Sequence, residues 1–154
     1  MVAVRCDAVS VFLIRGAGAD VRVLMLRRAG SLYRGEWCQV AGGIEDGEAP
    51  WAAALREVRE ETGLVPDRLY SADICEQFYD PPTECVVIIP VFVGFIDGAR
   101  EVVLNDESSA FRWMTFAEAG EVVPFSGQRT TLAHIRREFV ERPPPARQRI
   151  EIPR

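Results

Sequence analysis

Apolar residues first gather in two short runs, Ala8–Arg15 (AVSVFLIR) and Val21–Arg28 (VRVLMLRR), separated by the glycine-rich stretch Gly16–Asp20. Runs of this length bounded by turn residues predict two buried strands and a turn. Trp37–Val40 reads as a further short strand entering Gly42–Gly43. Leu69–Tyr79 and Cys85–Phe95 are strand-like and are separated by Asp80-Pro81-Pro82. Pro90 inside the second run cannot donate to a ladder, which predicts a sheet edge or a bulge there. Phe111–Thr115 is a short strand candidate. Two stretches carry helical spacing instead: Glu48–Thr62, and Gln128–Glu141 with Leu132, Ile135 and Phe139 three and four residues apart. Pro143–Pro145 ends the second. Strands and helices mix without a βαβ rhythm, which predicts an α+β fold, a mixed sheet flanked by helices. One domain is expected over residues 1–142, with residues 143–154 a proline-started tail.

Composition narrows the function classes. A chain of 154 residues is one domain's worth and can bury a core without disulfides or a structural metal. With 48% apolar and 27% charged residues it is neither disordered nor fibrous. Its 23 acidic against 18 basic residues give a net charge of −5, which does not suit non-specific binding to nucleic acid. An acidic chain that handles phosphates needs a divalent cation to offset the repulsion. The longest apolar run, Val86–Gly94, is far short of the ~20 residues that span a bilayer. The first ten residues lack a secretory leader pattern. A cytoplasmic protein without a membrane partner is therefore expected. Cys6, Cys38, Cys75 and Cys85 form no CxxC pair and read as reduced thiols. The single histidine, His134, argues against zinc and reads as structural or exposed.

The chemistry concentrates in Gly42–Leu64, GGIEDGEAPWAAALREVREETGL. Pro50 suits a first helical turn, and Gly63 sits where a helix terminates. At ~100° per residue, Glu57, Glu60 and Glu61 fall within one arc of roughly 100°. Trp51, Leu55, Val58 and Thr62 cluster on another face that can pack against a sheet. Like charges at i, i+4, as in Glu57 and Glu61, destabilise a helix, and Arg56 and Arg59 offset only part of that. Bound Mg²⁺, a hard cation held by carboxylates, water and phosphate oxygens, resolves the conflict. A solvated acidic face is the competing reading of the REVREE string alone.

The surrounding residues decide between them. Gly42, Glu48, Arg56, Glu57, Val58, Glu60, Glu61, Gly63 and Leu64 stand at the spacing G-x5-E-x7-R-E-U-x-E-E-x-G-U, and the segment resembles the Nudix box at every specified position. The resemblance extends to Trp37–Gly43 upstream and to Glu107–Trp113 downstream. It implies an α/β/α sandwich around a mixed sheet. It also implies hydrolysis of a nucleoside diphosphate linked to another group, with Mg²⁺ or Mn²⁺. By position, Glu57, Glu60 and Glu61 are implied metal ligands, with Glu57 also a candidate general base. The Gly42 or Gly43 carbonyl is a further ligand, Glu48 lies in or just behind the ligand set, and Arg56 steadies the carboxylates. Glu107 matches the extra carboxylate that relatives supply from a loop, with Glu84 as the alternative; otherwise Glu84 is a solvent-facing strand residue.

Outside the box, Arg27, Arg28, Tyr33 and Arg34 precede Trp37 in an expected loop, and either contact phosphates and a base or form an ordinary surface. Phe78 and Tyr79 end a strand, facing either a base or the packing. Trp37, Trp113 and Met114 read as core. Tyr79 and Pro81 lie 15 and 17 residues past Leu64, each just outside the windows that mark dinucleoside polyphosphate and ADP-ribose subgroups. Across its length the chain is similar to bacterial Nudix pyrophosphatases of the dATP or dihydroneopterin triphosphate type. That implies a triphosphate substrate yielding a monophosphate and pyrophosphate. A nucleoside diphosphate sugar such as ADP-ribose is the runner-up, a non-catalytic nucleotide-binding module the third reading. Relatives are often homodimers.

Overall fold

The computed structural model describes residues 1–153. Its core is a nine-stranded mixed sheet. Strand β1 (Ala3–Arg5) precedes β2 (Ala8–Arg15) and β3 (Arg22–Arg28), then β4 (Trp37–Cys38) and β5 (Val40–Gly43). After helix α1 (Pro50–Thr62) come β6 (Arg68–Asp80), β7 (Cys85–Phe95) and β8 (Ser108–Met114), then α2 (Phe116–Val122), α3 (Ser126–Ile135) and β9 (Arg149–Ile150). The pairs β1–β7 and β2–β7 are parallel, and the remaining pairs antiparallel.

The strand at the centre is apolar on both faces because both are covered. In β2, Phe12 and Ile14 pack with α2 and α3, in a cluster that includes Phe116, Ala119, Leu132 and Ile135. Val9, Val11 and Leu13 pack on the other side with Ala53, Ala54 and Val58 of α1. The result is the α/β/α layering implied above. No helix among the described residues is long and apolar enough to cross a membrane.

Several boundaries differ from the sequence reading. The strand expected at Trp37–Val40 is two strands, β4 pairing with β3 and β5 with β2. Arg27 and Arg28 belong to β3 rather than to a loop, and Glu84, at φ +52°, is a turn residue rather than a strand residue. The helix expected at Gln128–Glu141 begins at Ser126, and its last turn, Arg136–Val140, widens into a π-helical turn. Helix α2 was not anticipated, although Thr115 and Glu118 close a capping box that T-x-x-E announces. Within the tail, Arg149 and Ile150 add a strand to β6. Pro90 lies inside the sheet, and the irregularity falls beside it: the register of β6 shifts between Ser71 and Cys75, opposite Pro90 and Phe92. On its other edge β7 passes there from β1 partners to β2 partners, so the missing N–H interrupts no ladder.

One feature of the topology positions everything that follows. Strands β2 and β3 pair only at their hairpin end, through Ile14–Val23 and Arg15–Arg22. Beyond that they diverge, β2 taking β5 and β3 taking β4. Gln39 sits at the point of this split, between β4 and β5.

Candidate active site

Helix α1 starts at Pro50 without a side-chain cap and ends at Gly63, whose φ of +71° lets its N–H reach the Arg59 carbonyl. The side chains it buries are Ala53, Ala54, Glu57, Val58, Glu61 and Thr62, while Trp51 and Leu55 are only half-buried. The acidic arc is therefore not a separate exposed edge. Two of its three carboxylates are turned under the helix against β5, and Glu60 alone remains exposed.

Arg56 organises the cluster. Its Nε and Nη2 donate to both oxygens of Glu48 at 2.9 Å, Nη1 to Glu57 at 2.7 Å and to Glu60 at 3.3 Å, and Nη2 to the Gly43 carbonyl at 2.7 Å. This fork fits a planar five-donor guanidinium and would not suit a lysine. These hydrogen bonds hold Glu48 below the usual carboxylate range and raise Arg56. Gly42 is packed directly on Glu57: a Cβ there would overlap the Glu57 carboxylate.

Two carboxylates stay short of compensation. Burial pushes Glu57 up, the Arg56 hydrogen bond and charge pull it back, and Glu60 and Glu107 push it up again. Glu61 is pushed up to about 8, first by burial, then by Glu107 and Glu57, against the Ala41 N–H and Arg28. Glu107 thus stands close enough to act on both. Its loop is fixed by Asn105, which donates to the Glu107 carboxylate at 2.9 Å, and by the Ala29 N–H bonded to the Glu107 carbonyl. Among the described residues no three acidic, histidine or cysteine side chains already converge on one point as a cation would draw them. The donor set nonetheless fits a hard divalent cation: only oxygen donors, two of them buried with negative charge unneutralised.

The remaining candidates are scattered. Arg28 turns inward, donating to the Leu32 carbonyl at 3.0 Å and lying 4.0 Å from the Cys38 sulfur. Burial raises that Cys38 thiol despite Arg28. Arg27 donates to the Gly35 carbonyl at 3.2 Å, and Arg34 is exposed. Tyr33, at φ +52°, meets Phe125 edge-on with centroids 5.1 Å apart. Tyr79 is half exposed near the tip of the β6–β7 hairpin, and by strand alternation opposes Phe78. Trp37 is half-buried, Met114 fully buried, and Trp113 lies under the Arg15 guanidinium at 4.3 Å. His134 bonds the Ala72 carbonyl at 2.7 Å beside the β6 irregularity, a structural position. All four cysteines are free.

Sequence reasoning missed a polar row beneath α3. The Phe125 N–H donates to Gln128, Gln128 to Gln39 at 3.0 Å, and Gln39 to Ser10 at 2.9 Å, all three side chains being buried. Glu76 of β6 also lies there, hydrogen-bonded to Thr131. The available signal was a serine and a glutamate inside otherwise apolar strand runs.

A sequence model of the NUDIX domain matches residues 4–142. Over 129 residues the chain is 36% identical to an octanoyltransferase of Myxococcus xanthus, covering 80% of this chain and 35% of that protein, so it spans about a third of that relative's length. Over 109 residues it is 30% identical to the nucleoside triphosphatase NudI of Escherichia fergusonii, covering 66% of this chain and 77% of that protein. Two solved structures share the fold. The MutT protein of Methanosarcina mazei has a TM-score of 0.72 and 23% identity over 88% of this chain and 95% of its own. The dihydroneopterin triphosphate pyrophosphohydrolase of E. coli has 0.66 and 24%, over 86% and 95%.

Proposed function

The chain belongs to the Nudix family, and on that premise we propose that it is a divalent-cation-dependent pyrophosphohydrolase. Its substrate on this reading is a nucleoside triphosphate or similar compound, cleaved to a monophosphate and pyrophosphate. The observation that carries the proposal is the pair of buried carboxylates one helical turn apart, Glu57 and Glu61, each raised by the other and by Glu107. A helix built for stability alone would not bury like charges in that relation. The 30% identity to a nucleoside triphosphatase supports the triphosphate class.

Glu57, Glu60, Glu61 and Glu107 would hold Mg²⁺ or Mn²⁺, with Glu48 behind them and backbone oxygen at Gly42. When bound, the cation shields the phosphate oxygens and lowers the pKa of water. The chain does the rest. Arg56 pins Glu57 through Oε1 and so leaves Oε2 to accept a proton from the attacking water. General-base help of this kind is worth about 10²–10⁴-fold. Arg56 itself positions rather than reacts, since its donors are committed to Glu48, Glu57, Glu60 and Gly43. Arg28, beside Glu61, is the side chain best placed to meet a phosphate.

The test is a screen of deoxynucleoside and nucleoside triphosphates, ADP-ribose, NADH and dinucleoside polyphosphates with Mg²⁺ and with Mn²⁺, products resolved by chromatography. Triphosphates should be converted to monophosphates, and Glu57→Gln or Glu61→Gln should remain folded with turnover nearly abolished. Preferred cleavage of ADP-ribose would move the assignment to nucleoside diphosphate sugars. No turnover of any diphosphate compound would leave a nucleotide-binding module.

A further inference from the structure

Glu76 is a carboxylate that the reaction above does not use. It lies on β6, opposite Ile89 of β7, facing the first turns of α3. Thr131 hydrogen-bonds to it, and a Cβ at Gly127 would stand 3.9 Å from its Oε2. Its Oε1 is sealed from solvent and has no hydrogen-bond partner, the only such buried side-chain atom among the described residues. An unpaired buried acceptor weakens a fold, so a position kept this way calls for a partner from outside the chain.

The surroundings say what kind of partner. Gln128, between Gly127 and Thr131, continues the row through Gln39 to Ser10. That row leads to the split between β4 and β5, two residues before Ala41, whose N–H bonds Glu61. A phosphate end at Glu61 and a second end at Glu76 are thus joined by one polar path through the gap in the sheet. Half-exposed aromatic rings border it: Tyr33 and Phe125 in edge contact at the start of α3, and Phe78, which shares the Glu76 face of β6. Rings around a buried acceptor suit a flat heterocycle bearing N–H donors.

We propose that Glu76 is a specificity-determining residue that reads the paired N–H donors of a 2-amino-oxo heterocycle, the edge shared by guanine and pterins. The phosphate end of this inference rests on the pyrophosphohydrolase reading. A carboxylate offers acceptors only. The guanine edge presents a ring N–H and an exocyclic amine side by side, two donors for two oxygens. Adenine and cytosine set a ring acceptor beside their amine, and thymine flanks its N–H with two carbonyls, so each turns an acceptor toward the carboxylate. Burial holds Glu76 up to about 7, and arrival of two donors favours its charged form.

The experiment compares kcat/KM for dGTP, dATP, dCTP and dTTP in the wild type and in Glu76→Gln, together with calorimetric binding of GMP and AMP, which need no turnover. The wild type should favour dGTP over dATP at least tenfold, and Glu76→Gln, which puts a donor where an acceptor stood, should lower that ratio at least tenfold. GMP should likewise bind the wild type at least tenfold tighter than AMP. Triphosphates hydrolysed without a guanine preference, or a preference that survives in Glu76→Gln, would overturn the inference and leave the hydrolase reading standing. If the wild type hydrolyses nothing, the hydrolase reading fails and the GMP and AMP affinities decide: a preference lost in Glu76→Gln supports recognition, equal or absent binding ends it. Should Glu76→Gln not fold, Glu76→Asp, which withdraws the carboxylate by one methylene, takes its place.

Discussion

Gly42 shows how much of this site depends on a single missing methyl group. Its backbone has no need of glycine for conformational reasons, since its φ is not among the positive ones. What it supplies is room: a Cβ would overlap the Glu57 carboxylate that Arg56 holds at 2.7 Å. Gly42→Ala is therefore expected to fold, with a melting temperature within a few degrees of wild type, and to lose about 100-fold in turnover. That is the loss typical of a 1 Å displacement of a reacting group. A steady-state assay beside a thermal melt checks it; unchanged turnover would mean that Glu57 is not held in a working position. The residue scale also explains why the box spells Arg rather than Lys at position 56. Five donors reach three carboxylates and a carbonyl at once.

At the scale of the element, helix α1 is anchored at its C-terminal end more firmly than at its N-terminal end. Ala49 provides no side-chain cap. At the other end Gly63 turns left-handed, Thr62 takes the Leu64 N–H on its hydroxyl, and the Thr62 carbonyl accepts from Val103 at 2.8 Å. Gly63→Ala forces a Cβ into φ +71° and against Val103 at 3.4 Å. The expected cost is about 1–2 kcal/mol, or roughly 2–8 °C of melting temperature for a domain of this size. Gly63→Asn should lose less, because asparagine tolerates that conformation. Thermal denaturation of the two variants distinguishes strain at Gly63 from loss of a general packing contact, which would penalise both alike.

For the molecule as a whole, the buried acids set a pH dependence. Glu61 is raised to about 8 and Glu76 to about 7. The folded state therefore keeps protons that the unfolded chain releases from about pH 4.5 upward. Stability falls where the folded state binds more protons, so the cation-free protein should become less stable as pH rises from about 4.5 to 8. Below that window the lowered carboxylates Glu48, Glu118 and Glu138 act in the opposite sense, losing their contribution as they protonate. A divalent cation that takes the place of the protons on the α1 carboxylates should reverse the upper trend. In melts at pH 5.5 and pH 8, added MgCl₂ should raise the melting temperature more at pH 8. A shift of equal size at both pH values, or none, would contradict cation binding by these side chains.

Much of this was legible in the order of residues. The box spacing placed three glutamates on one helix arc and an arginine beside them, and doubly apolar strands announced a covered sheet, because periodicity and turn chemistry are local properties. The depth of Glu57 and Glu61 was not legible, since burial depends on β5 arriving beneath α1. Nor was the convergence of Glu107 on them, which a loop more than 40 residues downstream of Glu61 supplies. Least legible was the row from Ser10 through Gln39 and Gln128 toward Glu76. Its members come from β2, the β4–β5 break, α3 and β6, and nothing in their local sequence relates them. Local order thus determined the elements and the box. Only the divergence of β2 from β3 and the placement of α3 over the sheet decided which polar groups meet, because contacts between distant segments exist only once the chain has closed on itself.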